Sequence, residues 1–169
     1  MTENGQDRQP ARSRDGKERI FLVVVDATAE HRKALRFASQ RARNTGGRVA
    51  LLYVIEPAEF QHWMAVENLM REERRQEAEA LLQQISAEVQ QISGMTPVFY
   101  VREGDVREEL LKLIDEDKTI SVLVLAAGTD KKGPGPLVSQ LAGKQSGNLP
   151  IPLTIVPGNL SDSEIDALT

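Results

Sequence analysis

Two groups of residues in this chain have the chemistry to hold a ligand. Asp26 closes the apolar run "RIFLVVVD", and a carboxylate in such a place can accept hydrogen bonds from sugar hydroxyls. The second group is the glycine-rich stretch "AAGTDKKGPGPLVSQLAGKQSG", which leaves another apolar run. Glycine lets backbone N–H groups approach a phosphate, because no side chain intervenes. Gly128, Gly133, Gly135 and Gly143 are the candidates, with Lys131, Lys132 and Lys144 nearby as point charges. Each group also has a plain alternative. The glycine stretch can be a turn shaped by Gly and Pro that holds nothing, and Asp26 can be a polar strand end that helps cap the next helix.

Other chemistries are missing. There are no cysteines, which removes disulfides, thiolate nucleophiles and sulfur-ligated metals and suits a cytoplasmic setting. The two histidines, His31 and His62, lack a metal-binding spacing, so no metal site is expected. His31 reads as a solvent-side residue of the first helix, and His62 as a surface residue beside the sole tryptophan, Trp63. The segment "AGKQS" is not a P-loop: Val138 stands where the first glycine belongs, and Gln145 where the hydroxyl residue belongs. A dinucleotide fingerprint would follow the first strand, where "DATAEH" stands instead. A G-x-S-x-G elbow is absent too. No catalytic residue is assigned, so slow or absent turnover is expected.

These residues must be positioned by a regular alternation of elements. "RIFLVVVD", "RVALLYVIEP" and "ISVLVLAAG" are apolar without polar alternation, as expected of strands covered on both faces. "TPVFYVREG" and "IPLTIVPG" complete five strands. Helix one carries Leu35, Ala38 and Ala42 on one face, with Thr28 as its expected N-cap and Gly46 as its stop. Helix two is long, with an apolar stripe of Val66, Leu69, Met70, Leu81, Leu82, Ile85, Val89 and Ile92, and it closes at Gly94. Its "REERRQEAEA" section reads as a solvated face laced by i,i+4 pairs, with a docking face for another helix as the alternative. Asp105 and Glu108 open helix three at capping-box spacing, and Val106, Leu110 and Leu113 share its face. Helix four is expected to start near Pro136, which would put Gly133, Pro134 and Gly135 at its positive end. Ser161 and Glu164 have the spacing to cap a short terminal helix.

The order β-α-β-α-β-α-β-α-β implies an α/β sandwich of three layers around a mostly parallel sheet. Residues 1–18 read as a disordered polar arm, 19–158 as one α/β domain, and 159–169 as a tail with a short helix. The net charge of −4 argues against a nucleic-acid surface or an anionic membrane as partner. Only 4% of residues are aromatic, which argues against a base-stacking platform. Runs such as "IFLVVV" are too short to span a bilayer.

"VVVD" on strand one, "LLYVIEP" on strand two, "VREGD" after strand three, "VLAAG" with its glycine loop, and "PIPLTIVP" occur in one order along the chain. In that order they resemble the universal stress protein family, over about residues 19–158. The resemblance implies a five-stranded parallel sheet of order 3-2-1-4-5 with helices on both faces, and a homodimer, often formed by the last strands (here 152–156). Some members of that family bind ATP and others do not. Carried onto this chain, the resemblance places nucleotide-binding residues at Asp26, Ala27 and Val54, and along the loop at Ala127, Gly128, Gly133, Gly135, Ser139, Gly143 and Lys144. The ligand it implies is ATP or AMP, with Mg if ATP, in stress response or signalling. The family's ATP-binding loop has the pattern G-x2-G-x9-G-[S/T]. Here Lys131 takes the place of the second glycine, Gly133 comes two residues late, and Lys144 replaces the hydroxyl residue. The alternative within the same fold is an interaction protein with an empty crevice, working through helix two and an exposed last strand.

Overall fold

A computed structural model describes residues 17–26, 28–57 and 64–169, with side chains from residue 67 onward in the last segment. Most of the N-terminal arm, Ala27, His62, Trp63 and the side chain of Val66 therefore lie outside the described residues.

Five strands form one sheet: β1 (Ile20–Val24), β2 (Arg48–Ile55), β3 (Val98–Glu103), β4 (Ile120–Ala127) and β5 (Leu153–Pro157). Their order is β3-β2-β1-β4-β5, and every neighbouring pair is parallel. Among the described residues five α-helices alternate with them: α1 (His31–Thr45), α2 (Met64–Ser93), α3 (Val106–Glu116), α4 (Pro136–Leu141) and α5 (Asp162–Leu168).

β1 shows why the central strands lack polar alternation. Phe21, Val23 and Val25 join the core under α1 and α2, while Ile20, Leu22 and Val24 join the core under α3 and α4. Successive side chains of a strand point to opposite faces, so a strand between two helical layers must be apolar at every position. Burying one leucine such as Leu22, Leu51 or Leu52 fully contributes about 1.5–3 kcal/mol. The β1–β4 ladder shifts register between Ile20 and Phe21; Ser121 is the extra residue, and its hydroxyl accepts from the Ile20 N–H at 3.2 Å.

The helix signals are met with two exceptions. Gly46 ends α1 in the left-handed conformation, φ 68°, and Gly94 follows α2 with φ 79°. Asp105 caps α3 by accepting from the Glu108 N–H at 3.0 Å. Pro136 starts α4. Ser161 and Glu164 form a complete capping box on α5. The first exception is Thr28, which does not cap α1. Its N–H and hydroxyl both donate to Asp26, and the helix begins after Glu30 without any side-chain cap. The second lies in the α2 stripe: Leu82, Ile85 and Val89 are buried, but Leu69 is 61% exposed, and the small Ala78 is buried instead. The terminal helix α5 is docked on the domain. Ile165 is fully buried in the α1 side of the core. The charged section of α2 is laced as expected, with Arg71–Glu67 and Arg75–Glu79 pairs at i,i+4.

Candidate ligand-binding cleft

β1 lies between β2 and β4, and the chain leaves it in opposite directions for the two halves of the sheet. In an open parallel sheet, this reversal opens a crevice outside the carboxyl ends of the strands. A cleft of about 1250 Å³ lies there. Its floor is the ends of the three central strands: Val25, Tyr53, Val54, Leu125 and Ala126. Its walls come from the first turn of α3 and from the glycine loop with the start of α4, while Arg74 and Glu77 of α2 reach it from the side.

Asp26 stands at the rim. Its Oδ1 accepts from the Thr28 N–H at 2.9 Å and from the Thr28 hydroxyl. Among the described residues no donor engages Oδ2, so one carboxylate oxygen remains available to a ligand hydroxyl. His31 also lines the cleft, and its side chain is only 14% exposed. This corrects the expectation of a solvent-side histidine. The unusual start of α1 turns its ring inward, where Nδ1 bonds the Thr28 carbonyl at 2.6 Å and lies 3.9 Å from Asp26 Oδ1. Since a carbonyl only accepts, Nδ1 carries the proton, and Nε2 of the neutral ring is left as an acceptor.

The glycine loop closes on itself. The Gly128 N–H donates to the Pro134 carbonyl at 3.1 Å, and the Gly133 N–H to the Asp130 carbonyl at 3.2 Å. Asp130 Oδ1 accepts from the Lys132 N–H at 2.8 Å. Gly133 and Gly135 have φ of 89° and 99°, a region that side chains disfavour. Gly128 is needed for another reason: a Cβ there would sit 3.0 Å from the Gly133 carbonyl oxygen. Two glycine amides are thus engaged inside the turn. The helix that follows has six residues, Pro136–Leu141.

Of the residues named from the sequence, Asp26, Val54, Gly128, Gly133, Gly135 and Ser139 all line this cleft. Ala127, Gly143 and Lys144 are not among its lining residues. Ala127 is the last residue of β4, and its carbonyl accepts from the Gly158 N–H at 2.9 Å. Gly143 and Lys144 come after α4, where the chain turns toward β5. The sequence reading had Lys132 only as a nearby point charge, and it missed Arg107 and the acidic members Glu30, Glu56 and Glu77. Nothing in their local patterns marks them, because each belongs to a different element. Among the described lining residues the carboxylates of Asp26, Glu30, Glu56, Glu77, Asp105 and Asp130 outnumber the cations of Arg74, Arg107 and Lys132. Among the described residues no three acidic, histidine or cysteine side chains cluster to hold a metal ion.

The family model described as "Universal stress protein family" matches residues 18–157. The chain belongs to the universal stress protein family. Solved structures of the family share its fold. The universal stress protein UspA from Lactobacillus plantarum superimposes with a TM-score of 0.68 at 17% identity, covering 83% of this chain and 98% of that one. The universal stress protein from Archaeoglobus fulgidus, solved in complex with dAMP, gives 0.56 at 15% identity, covering 82% and 97%. A universal stress protein family protein from Arabidopsis thaliana, solved with AMP bound, gives 0.53 at 12% identity, covering 82% and 90%. No curated protein sequence matches the chain. The expected sheet order and the helices on both faces hold for this member of the family. Among its described residues no helix is long and apolar enough to cross a membrane.

Proposed function

We propose that the cleft binds an adenine nucleotide and that the protein works as a cytoplasmic binding module in stress response or signalling. The observation that carries this reading is the meeting of Asp26, Val54 and Gly128 around one crevice at the strand reversal. The apolar strand ends suit a purine face, and the open oxygen of Asp26 suits a ribose hydroxyl. The bound dAMP and AMP of the two family members support the same ligand class. Any magnesium would arrive with the phosphates of ATP, since the described side chains form no cation site of their own. Mass spectrometry of small molecules released from freshly purified protein tests the reading. AMP or ATP is expected, and Asp26→Ala should abolish micromolar binding in calorimetry. No binding of AMP, ADP, ATP or a cyclic nucleotide at millimolar ligand rejects it.

The edge strand β5 supports a second reading, that of an interaction protein acting as a homodimer. β5 has a neighbour only on its β4 side, and Ile155 is 38% exposed. A second copy could pair with the open edge. Light scattering should give a dimer that Ile155→Lys dissociates; a wild-type monomer at high concentration excludes it.

A further inference from the structure

The three cations of the cleft differ in kind. Arg74 donates to the Glu56 carbonyl oxygen at 3.3 Å and is engaged. Lys132 is exposed on the glycine loop. Arg107 is half-buried in the first turn of α3, and its Nε is buried without a hydrogen-bond partner. No carboxylate among the described residues forms an ion pair with it. Its acidic neighbours along the chain are occupied or turned away. Asp105 caps the helix, Glu109 bonds Lys112 at 3.0 Å and lies 3.9 Å from Arg102, and Glu108 is exposed. A guanidinium cannot shed its charge to relieve burial, and a buried donor left unpaired is costly. Nε is closed to solvent, so a ligand in the cleft would meet the outer Nη edge, which has no hydrogen-bond or ion-pair partner among the described residues.

We propose that Arg107 is the phosphate receptor of the cleft. Its planar fork matches a phosphate through paired N–H···O bonds. The inference rests on the nucleotide reading above and deepens it by naming the ligand class and the residue that selects it. Arg107 is held firmly enough for the task. The Asp105 cap fixes the first turn of α3, and Leu110, Leu113 and Ile114 anchor the helix in the core. The glycine loop is the weaker receptor here, because the Gly128 and Gly133 amides already serve the turn. Charge then selects among nucleotides. Arg107 offsets part of the charge of a single phosphate, whereas a bare triphosphate brings further negative charge into a cleft with a surplus of carboxylates among its described lining residues. The preferred ligand is a nucleoside monophosphate.

Calorimetry with adenosine, AMP and ATP on the full chain tests this, using wild type, Arg107→Gln and Arg107→Lys, with thermal melts to confirm folding. The wild type is expected to bind AMP more tightly than adenosine, and more tightly than ATP without magnesium. Arg107→Gln keeps much of the stem and loses the charge. It should weaken AMP on the order of tenfold to a hundredfold while leaving adenosine unchanged. Arg107→Lys keeps the charge without the fork and should lose AMP affinity in part. Wild-type AMP affinity in either variant overturns the proposal and leaves the nucleotide reading standing. Equal loss for adenosine and AMP overturns it as well, since the arginine would then be acting on the shape of the cleft. If neither adenosine nor any nucleotide binds the wild type, both readings fall together.

Discussion

Arg36 grips Asp166 with two hydrogen bonds, Nε to Oδ1 at 2.7 Å and Nη2 to Oδ2 at 2.6 Å. The pair ties the last helix, α5, to the first, α1, and Gln40 adds a third donor to Oδ1 at 3.1 Å. The guanidinium holds the Asp166 carboxyl below its ordinary value, chiefly through these hydrogen bonds. A lowered carboxylate contributes stability above its unfolded pKa, near 4, and loses that contribution as pH falls through the folded value. Protection factors of the α5 amides, which correct for the intrinsic pH dependence of exchange, should therefore fall below about pH 4 in the wild type. In Asp166→Asn, these protection factors should already be lower at neutral pH and change less on acidification. The pair is exposed, so the effect is local to α5 and weakened by salt.

Ile165 anchors the same helix from below, fully buried against the α1 side of the core. Ile165→Ala should destabilise the domain by about 2–4 kcal/mol, read from urea denaturation. Unchanged stability would mean that α5 folds apart from the core.

Tyr100 on β3 donates to Asp117 Oδ2 at 2.6 Å, just beyond α3. Partial burial first, and the bonded carboxylate second, push its phenol up to about 12. A raised phenol contributes stability below its unfolded pKa, near 10, and loses it as pH rises through the folded value. Ultraviolet titration should show a late ionisation at about pH 12 that Tyr100→Phe removes. The wild type should lose stability relative to that variant between about pH 10 and 12.

Gly128→Ala would place a methyl group 3.0 Å from the Gly133 carbonyl oxygen, closer than a relaxed contact. The turn must open by a few tenths of an ångström and strain its Gly128–Pro134 bond. A loss of about 1 kcal/mol in stability is expected, with a larger relative loss in nucleotide affinity. Gly147→Ala meets nothing within contact range and serves as the neutral control.

Much of the fold was legible because burial is written into local patterns. β1 and β4 read as doubly covered strands from their unbroken apolar runs, and Asp105 and Ser161 announced their helices through short-range hydrogen bonding. Part of the site was legible for the same reason: Asp26 and Gly128 each end a strand, and strand ends of such a sheet face one crevice. Thr28 misled because Asp26 competes for it, so that α1 starts later than its cap signal suggests. Leu69 misled because periodicity gives a helix an apolar face without saying which turns of that face are covered.

The sequence by itself determined the element order, the parallel sheet, the family likeness and the strand-end location of the cleft, since these depend on residues near one another in the chain. Only the tertiary structure decided that His31 turns inward, that Arg107 stands unpaired in the cleft, and that the glycine loop bonds to itself. It also decided that α5 is docked to α1. The reason is physical: hydropathy and capping act over a few residues, whereas a side chain's partners depend on which distant elements the packing brings against it.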